Sequence, residues 1–339
     1  MFSWPRPEGI SFPARYHTIG RELCNIIAEI TKRQHVFINV PNENYERIVS
    51  QQLAAAKIKL SRVIFCHIMT NEAWCRDHGP AFLVHTDDAK KLAVIDWGFN
   101  AWGGKYPPFD SDDRVPSEFA KKVGVKTVLY PGIIMEGGAV DFNGAGTVLT
   151  TTDCLLNKNR NPHLSKSDIE QYLKNYYGQT NVCWLTGGIE GDDTDGHIDD
   201  LARFIDPHTI VFGAETNPAD ANFKVLKRVR KQLDALRDQD GKPFEIIELP
   251  MPKPVIIDGQ RCPATYINFL FINDAILVPT FGDKLDRAAL SIFKEQLPHH
   301  QVVGLPCQNL IWGLGAIHCL SQQIPAGLKI KRVNKSDVK

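Results

Sequence analysis

Apolar positions alternate between helical spacing and short unbroken runs along the chain. Over residues 15–32, Ile19, Leu23, Ile26, Ile27 and Ile30 fall three to four apart, which predicts an amphipathic helix. The run HVFINV at 35–40 reads as a strand, 44–56 as a second helix and Val63–Met69 as another strand. Ser165 and Asp168 are spaced as a variant capping box, and Gly178 follows the last turn, so a helix spans Ser165 to Gly178. Residues 221–238 place Phe223, Leu226, Val229, Leu233 and Leu236 on one face, with Lys and Arg opposite. Strands are expected at 244–250, 265–272 and 274–280, and a helix at 285–297. Asn143-Gly144 is a hairpin signal. No Pro-, Gly- or Ser-rich linker and no low-complexity tract divides the pattern, which predicts one α/β domain.

A second regularity is longer. KTVLYPGIIMEGGAVDF (126–142), VCWLTGGIEGDDTDGHID (182–199) and QVVGLPCQNLIWGLGAIHC (301–319) each read as apolar strand, turn, Gly-containing approach and new strand. WCRDHGPAFLV (74–84) and TYINFLFIN (265–273) resemble parts of the same scheme. Asp77, Glu136, His197, Asn268 and Cys319 then recur at steps of 59, 61, 71 and 51 residues, a period near 60. About five such units, each roughly strand, strand, helix, strand, would bring these polar markers to one central pocket.

Composition narrows the function. The 339 residues carry 39 Lys and Arg against 39 Asp and Glu, so no basic footprint for nucleic acid is present. No apolar run reaches membrane-spanning length, and the first residues lack a basic and an apolar leader region, so neither membrane nor secretion is expected. Eight scattered cysteines without a C-x-x-C pair read as reduced thiols in a cytoplasmic protein. The polar, basic stretch 326–339 reads as a tail.

Candidate chemistry sits at the markers. Cys319 follows His318 and the glycines 313 and 315, a setting for a nucleophile, although a small buried thiol is the ordinary fate of cysteine. His197 and Asp199 are two apart, and on a strand they would share a face as acid/base and cation partner, or as metal ligands. The alternative is a solvated acidic turn. Asp77 is either a site residue beside Trp74 or the ion-pair partner of Arg76, and Glu136 either a site residue or a turn residue. Several carboxylates around one thiol suit a cationic, planar guanidinium.

The motifs W-C-R-D-H-G-P (74–80), F-N-A-W-G-G (99–104), M-E-G-G (135–138), T-D-G-H-I-D (194–199) and G-x-G-x-I-H-C-x-x-Q-Q-x-P (313–325) together resemble the family of agmatine deiminases and bacterial-type peptidylarginine deiminases. The resemblance runs from about Trp4 to Pro325 and implies the five-bladed, pseudo-symmetric α/β-propeller (pentein) of the guanidine-modifying enzymes. It implies Cys319 as nucleophile, His197 as general acid/base and Glu136 as the carboxylate that orients that His. It further implies Asp77 and Asp199 as the pair that grips the guanidinium, Trp74 as a wall, Asp193 as partner of a far amine and Asn268 as a pocket residue. Ala139 and Ala316 stand where the family often has Asn, and T-D-G-H-I-D-D replaces the usual T-N-G-H-V-D-N. The segment before Trp4-Pro5 is short against the family pattern, so the first propeller strand begins at Phe2 or is clipped. The implied reaction is hydrolysis of agmatine to N-carbamoylputrescine and ammonia through a thiouronium on Cys319, with neither metal nor organic cofactor. The expected partner is this small cationic substrate, and a homo-oligomer is left open. Deimination of peptidyl or free arginine is the alternative. A non-catalytic binding module and a metallohydrolase on His197 and Asp199 are rivals from other classes.

Overall fold

The computed structural model describes residues 1–13 and 15–328. The proposed tail beyond 328 lies outside these residues. Helices form where the apolar spacing placed them: Tyr16–Thr31, Glu43–Ala55, Lys166–Tyr177, Asn222–Ala235 and Asp286–Gln296. Tyr16–Thr31 buries Ile19, Leu23, Ile26, Ile27 and Ile30 almost completely, and each such side chain contributes about 1.5–3 kcal/mol relative to exposure. The Ser165 hydroxyl accepts from the Asp168 amide while the Asp168 carboxylate accepts from the Ser165 amide, so the capping box is complete, and Gly178 ends the helix at φ 68°.

The strands assemble as five three-stranded sheets and one hairpin, Val255–Ile257 with Gln260–Cys262. Four sheets share one plan. An antiparallel pair is followed by a helix and a third strand parallel to the second. The members are Ala81–His85, Asp88–Ile95 and Thr127–Leu129; then Val140–Phe142, Thr147–Thr151 and Asn181–Leu185; then Ala202–Phe204, Thr209–Ala214 and Glu245–Pro250; and Leu270–Ile272, Ala275–Thr280 and Gln301–Pro306. The anticipated strand-strand-helix-strand unit is therefore observed four times. The remaining sheet is wholly parallel, joining Phe2–Ser3, Val36–Val40 and Val63–His67. Its first strand is met by the far end of the chain. Phe2 bridges Ser321, the Met1 amine donates to the Gln322 carbonyl at 2.6 Å, and the Gln322 amide donates back at 2.9 Å.

Two local expectations are corrected. The strand expected at 265–272 begins only at Leu270, because Thr265–Asn268 is a turn held by the Thr265 hydroxyl and the Ile267 amide. His197 and Asp199 are not on a strand. His197 is the N-cap of the single helical turn Ile198–Leu201, which carries Asp199 and precedes the strand Ala202–Phe204.

Candidate active site

All five marker residues stand just ahead of the first strand of a sheet or of its equivalent. Asp77 lies in the turn Cys75–His78 before Ala81, Glu136 caps Gly137–Ala139 before Val140, and His197 caps Ile198–Leu201 before Ala202. Asn268 lies in the turn before Leu270, and Cys319 lies before Ser321, which bridges Phe2. A tight turn at each junction aims one polar side chain toward a common centre, and all five are at most 6% exposed.

The close approach demands glycine. A Cβ on Gly138 would stand 2.6 Å from His197 Nδ1 and 2.8 Å from Asp77 Oδ1. A Cβ on Gly315 would stand 2.6 Å from the Trp74 ring and 2.9 Å from Cys319 Cβ. These residues let backbone pass where a side chain would clash.

Cys319 and Asn268 are in contact. The Asn268 amide nitrogen donates to Cys319 Sγ at 2.9 Å and to Asp200 at 3.0 Å. Its oxygen accepts from the His318 amide at 2.9 Å and the Cys319 amide at 3.3 Å. Asn268 thus fixes both the thiol and the backbone that carries it. Cys319 Sγ donates to Asp199 Oδ2 at 3.7 Å, and His318 Nδ1 lies 2.6 Å from the same oxygen. Asp77 Oδ1 accepts from the Gly138 amide and Oδ2 from Trp102 Nε1, both at 3.0 Å. Arg76 turns away, with Nη1 on Gln322 Oε1 and Nε on the His318 carbonyl, so Asp77 is not its ion-pair partner. His197 Nδ1 stands 3.7 Å from Asp77 Oδ1 and 4.0 Å from Asp199 Oδ1.

Glu136 differs from expectation. It makes no hydrogen bond to His197; Arg160 Nε donates to its Oε1 at 2.5 Å. Glu136 Oε2 and His197 Nε2 are both buried without a partner. Donor atoms of Glu136, Cys154 and His197 nevertheless lie within 4.8 Å of one another. The predicted pair is adjacent, and each member keeps one buried polar atom without a partner.

Burial and crowding set the charges. Burial, then the neighbouring Asp199 and Glu136, push the Asp77 carboxyl well above the usual carboxylate range. Burial raises Asp199 to about 7, with Arg203 and Arg76 opposing the rise. Burial and then the Arg160 charge hold His197 well below the ordinary imidazole value. Burial, Asp199, Asp200 and Asp77 push the Cys319 thiol well up, while the Asn268 hydrogen bond pulls the other way. In the free protein the nucleophile candidate is therefore a neutral thiol.

A cavity of about 200 Å³ opens onto this cluster. Cys319 and Asp77 lie on its lining, with Trp74, Trp102, Tyr106, Trp312 and Asp193 around it. Trp74 Nε1 donates to Ser11 Oγ at 2.7 Å, and its ring packs on Phe12 with centroids 5.8 Å apart. Trp102 sits at φ 55°, an unfavourable conformation for a bulky residue. The hydroxyl of Tyr106 donates to Asp193. Among the described residues the acids on the lining are Glu72, Asp77 and Asp193, and no Lys or Arg lines it.

All eight predicted site residues come together here. Asp77, Trp74, Asp193 and Cys319 form the wall, and Glu136, His197, Asp199 and Asn268 lie in the hydrogen-bonded layer around it. Sequence reasoning missed Tyr106, Arg160, Trp312 and His318. Tyr106 directly follows W-G-G-K, and Arg160 stands in N-R-N-P, a charged residue among turn formers; both were available signals. All eight cysteines are free. Among the described residues no helix is long and apolar enough to cross a membrane.

Comparison with known proteins bears on this arrangement. The sequence profile described as Porphyromonas-type peptidyl-arginine deiminase matches residues 1–325. The chain is similar to the agmatine deiminase of Pseudomonas fluorescens, 31% identical, with 97% of this chain and 99% of that one covered. Among solved structures it is similar to a Cys-to-Ser variant of C. jejuni agmatine deiminase with substrate bound, at 33% identity and TM-score 0.87, covering 97% of this chain and 93% of that one. It is also similar to the agmatine deiminase of Enterococcus faecalis, at 31% identity and TM-score 0.88, covering 96% and 92%.

Proposed function

The chain belongs to the Porphyromonas-type peptidyl-arginine deiminase family, and from that premise we propose that it is an agmatine deiminase. It hydrolyses the guanidine C–N bond of agmatine to N-carbamoylputrescine and ammonia. The observation that carries this reading is the cavity of about 200 Å³ lined by Cys319, Asp77 and Asp193, with no basic side chain on its lining among the described residues. Such a cavity suits a molecule that is cationic at both ends.

The steps follow from the geometry. The guanidinium seats between Asp77 and Asp199, where a planar cation can meet carboxylate oxygens from two sides. Its charge replaces carboxylate repulsion around Cys319 with attraction, which favours transfer of the thiol proton to His197, the proton that His197 then passes to the leaving nitrogen. Cys319 Sγ then bonds to the central guanidine carbon. His197 transfers a proton to one nitrogen, the C–N bond breaks and ammonia leaves, with a thiouronium remaining on Cys319. Water gives a proton to His197 and adds to the same carbon. The C–S bond breaks, which restores the thiolate and releases the ureido product. Splitting one difficult displacement into two is the advantage of the covalent route. Glu136 orients His197, Asn268 holds the thiol, and Trp74 and Trp102 wall the butyl chain.

The far end selects the substrate. Asp193, held by Tyr106, meets the terminal ammonium. Free arginine would bring its α-carboxylate toward Glu72 and Asp193 with no cation on the lining to receive it. The same reading treats the five sheets as blades of a pseudo-symmetric propeller over about residues 1–325, residues 1–339 as one deiminase domain and the enzyme as cytoplasmic, in keeping with eight free thiols. Ammonia release from agmatine, free arginine and a blocked arginine peptide tests the assignment. Agmatine is expected to give the highest kcat/KM, and a tenfold advantage for the blocked peptide would transfer it to the peptidyl-arginine branch.

A further inference from the structure

Arg160 touches neither the cavity nor any atom assigned to the substrate, yet it is fully buried against Glu136. Its three nitrogens are committed in different directions. Nε donates to Glu136 Oε1 at 2.5 Å, Nη1 to Asp195 Oδ2 and Asn159 Oδ1 at 2.7 Å, and Nη2 to the Thr194 carbonyl at 2.9 Å. One guanidinium therefore binds the carboxylate beside His197 and, through Thr194 and Asp195, the turn that leads into His197. Lys105 holds that turn from the other side, with Nζ on Asp195 Oδ1 at 2.8 Å and on the Asp193 carbonyl. Asp195 is thus a bridge between the Arg160 and Lys105 cations, in a left-handed conformation of φ 68°.

The clamp leaves one atom of Glu136 uncommitted. With Oε1 occupied by Arg160, the buried Oε2 has no partner, and neither has the buried Nε2 of His197. Glu136 is paired with an arginine, whereas Asp77 has no such partner among the described residues. Burial raises the Glu136 carboxyl, and the Arg160 charge and hydrogen bond oppose the rise.

We propose that Arg160 is a positioning residue, clamping Glu136 as an ionised carboxylate with Oε2 presented to His197 Nε2 and tying it to the Thr194–His197 turn. This rests on the reading of His197 and Glu136 as the acid/base pair. Replacing Arg160 removes the charge that favours the Glu136 carboxylate, so its proton affinity rises. The acid limb of the kcat profile, which requires ionised Glu136, then moves to higher pH. Lysine keeps the charge but cannot reach three acceptors at fixed angles. KM changes little, because Arg160 does not line the cavity.

The test is steady-state kinetics from pH 5 to 10 for Arg160→Gln, Arg160→Lys, Glu136→Gln and the Arg160→Gln/Glu136→Gln double variant, on whichever guanidine the wild type turns over. Circular dichroism and thermal melts accompany them. Arg160→Gln is expected to lose about 10²-fold in kcat at neutral pH, with KM within about threefold and the acid limb displaced upward by at least one pH unit. Arg160→Lys should keep the wild-type acid limb and lose less. The double variant should be no slower than Glu136→Gln alone, as expected of groups that act as one unit. If Arg160→Gln does not fold, the charge-free double variant and Arg160→Lys still decide. A uniform loss at every pH, or additive losses in the double variant, overturns the proposal. A wild-type protein inactive on every guanidine tested overturns instead the functional reading beneath it.

Discussion

Replacing Asp77 by Asn separates two consequences of the same buried charge. The side chain keeps its shape, but its amide nitrogen must face one of two hydrogen-bond donors, Trp102 Nε1 or the Gly138 amide. In the complex the guanidinium loses one of its two charged partners. Truncating one member of a buried charge pair costs about 3–5 kcal/mol, and about 1.4 kcal/mol is tenfold, so kcat/KM for agmatine should fall at least ~10²-fold. Stability should move differently. A carboxyl whose proton affinity is raised in the folded state is neutral in both states below the unfolded value, near ~3.9. Above that value the unfolded chain ionises first, and stability is lost as pH rises toward the folded value. Asp77 lies on that side, because burial and the neighbouring Asp199 and Glu136 all raise it. Each pH unit of elevation costs the fold about 1.4 kcal/mol at high pH. That relief opposes the roughly 0.5–1.5 kcal/mol of a spoiled hydrogen bond. Asp77→Asn at pH 8 should therefore be nearly inactive with a Tm equal to or above that of the wild type. Ammonia-release kinetics and calorimetry on the same preparation measure both. Near-wild-type kinetics, or a Tm lower by several degrees at unchanged m-value, would refute the reasoning.

Four further outcomes are expected. Cys319→Ser should lose turnover by several orders of magnitude, and mass spectrometry of a stalled wild-type reaction should place the adduct on Cys319; an adduct on Cys262 or Cys307 instead would remove its assignment. The free enzyme's active thiol should be alkylated by iodoacetamide slowly at pH 7, with a rate still climbing at pH 9, since burial and three carboxylates disfavour the thiolate; a plateau below pH 8 contradicts this. Asp193→Asn should raise KM for agmatine by about tenfold or more while narrowing the preference over free arginine, read from paired kcat/KM values. Gly315→Ala should abolish agmatine turnover, because its Cβ would meet both the Trp74 ring and Cys319, and wild-type activity in this variant would show that the loop moves freely.

Periodic information was legible and angular information was not. The markers Asp77, Glu136, His197, Asn268 and Cys319 could be lined up because the same turn-then-strand junction recurs, and apolar runs with glycines betray that in one dimension. Helix limits came within a residue or two for Tyr16–Thr31 and Lys166–Tyr177, where spacing and caps agree. The strand placed over 265–272 erred at its start because Tyr266 and Ile267 are buried in a turn, and burial alone does not distinguish a turn from a strand. His197 and Asp199 share a site for a different reason than alternation on a strand. One is a helix cap, and the other lies within the turn that follows. The N-R-N-P turn marks Arg160 as unusual, but its role was not legible there, because its partners, Glu136 and Asp195, lie 24 and 35 residues away on other segments. Long-range ion pairs leave no local pattern.

The electrostatic arrangement also gives the reaction a direction. Asp77, Asp199 and Asp200 all lie near Cys319 and disfavour its thiolate. Arg76, adjacent to Asp77 in sequence, directs Nη1 to Gln322 and Nε to the His318 carbonyl, and its buried Nη2 has no partner among the described residues. In the proposed mechanism the Cys319 thiol is therefore weak until a cation enters between the carboxylates, and a neutral or anionic molecule of similar shape would not activate it. The cation is consumed by the chemistry it enables. Once ammonia has left and water has added, the ureido group is neutral and the carboxylate contacts lose their charge. A neutral amide-like group in a buried cluster of acids gains far less than a guanidinium does there. In the proposed mechanism tight binding is thus confined to the substrate and the cationic thiouronium, with Asp193 left to hold the product at its far amine. On that mechanism the carboxylates proposed to grip the substrate also let the product go.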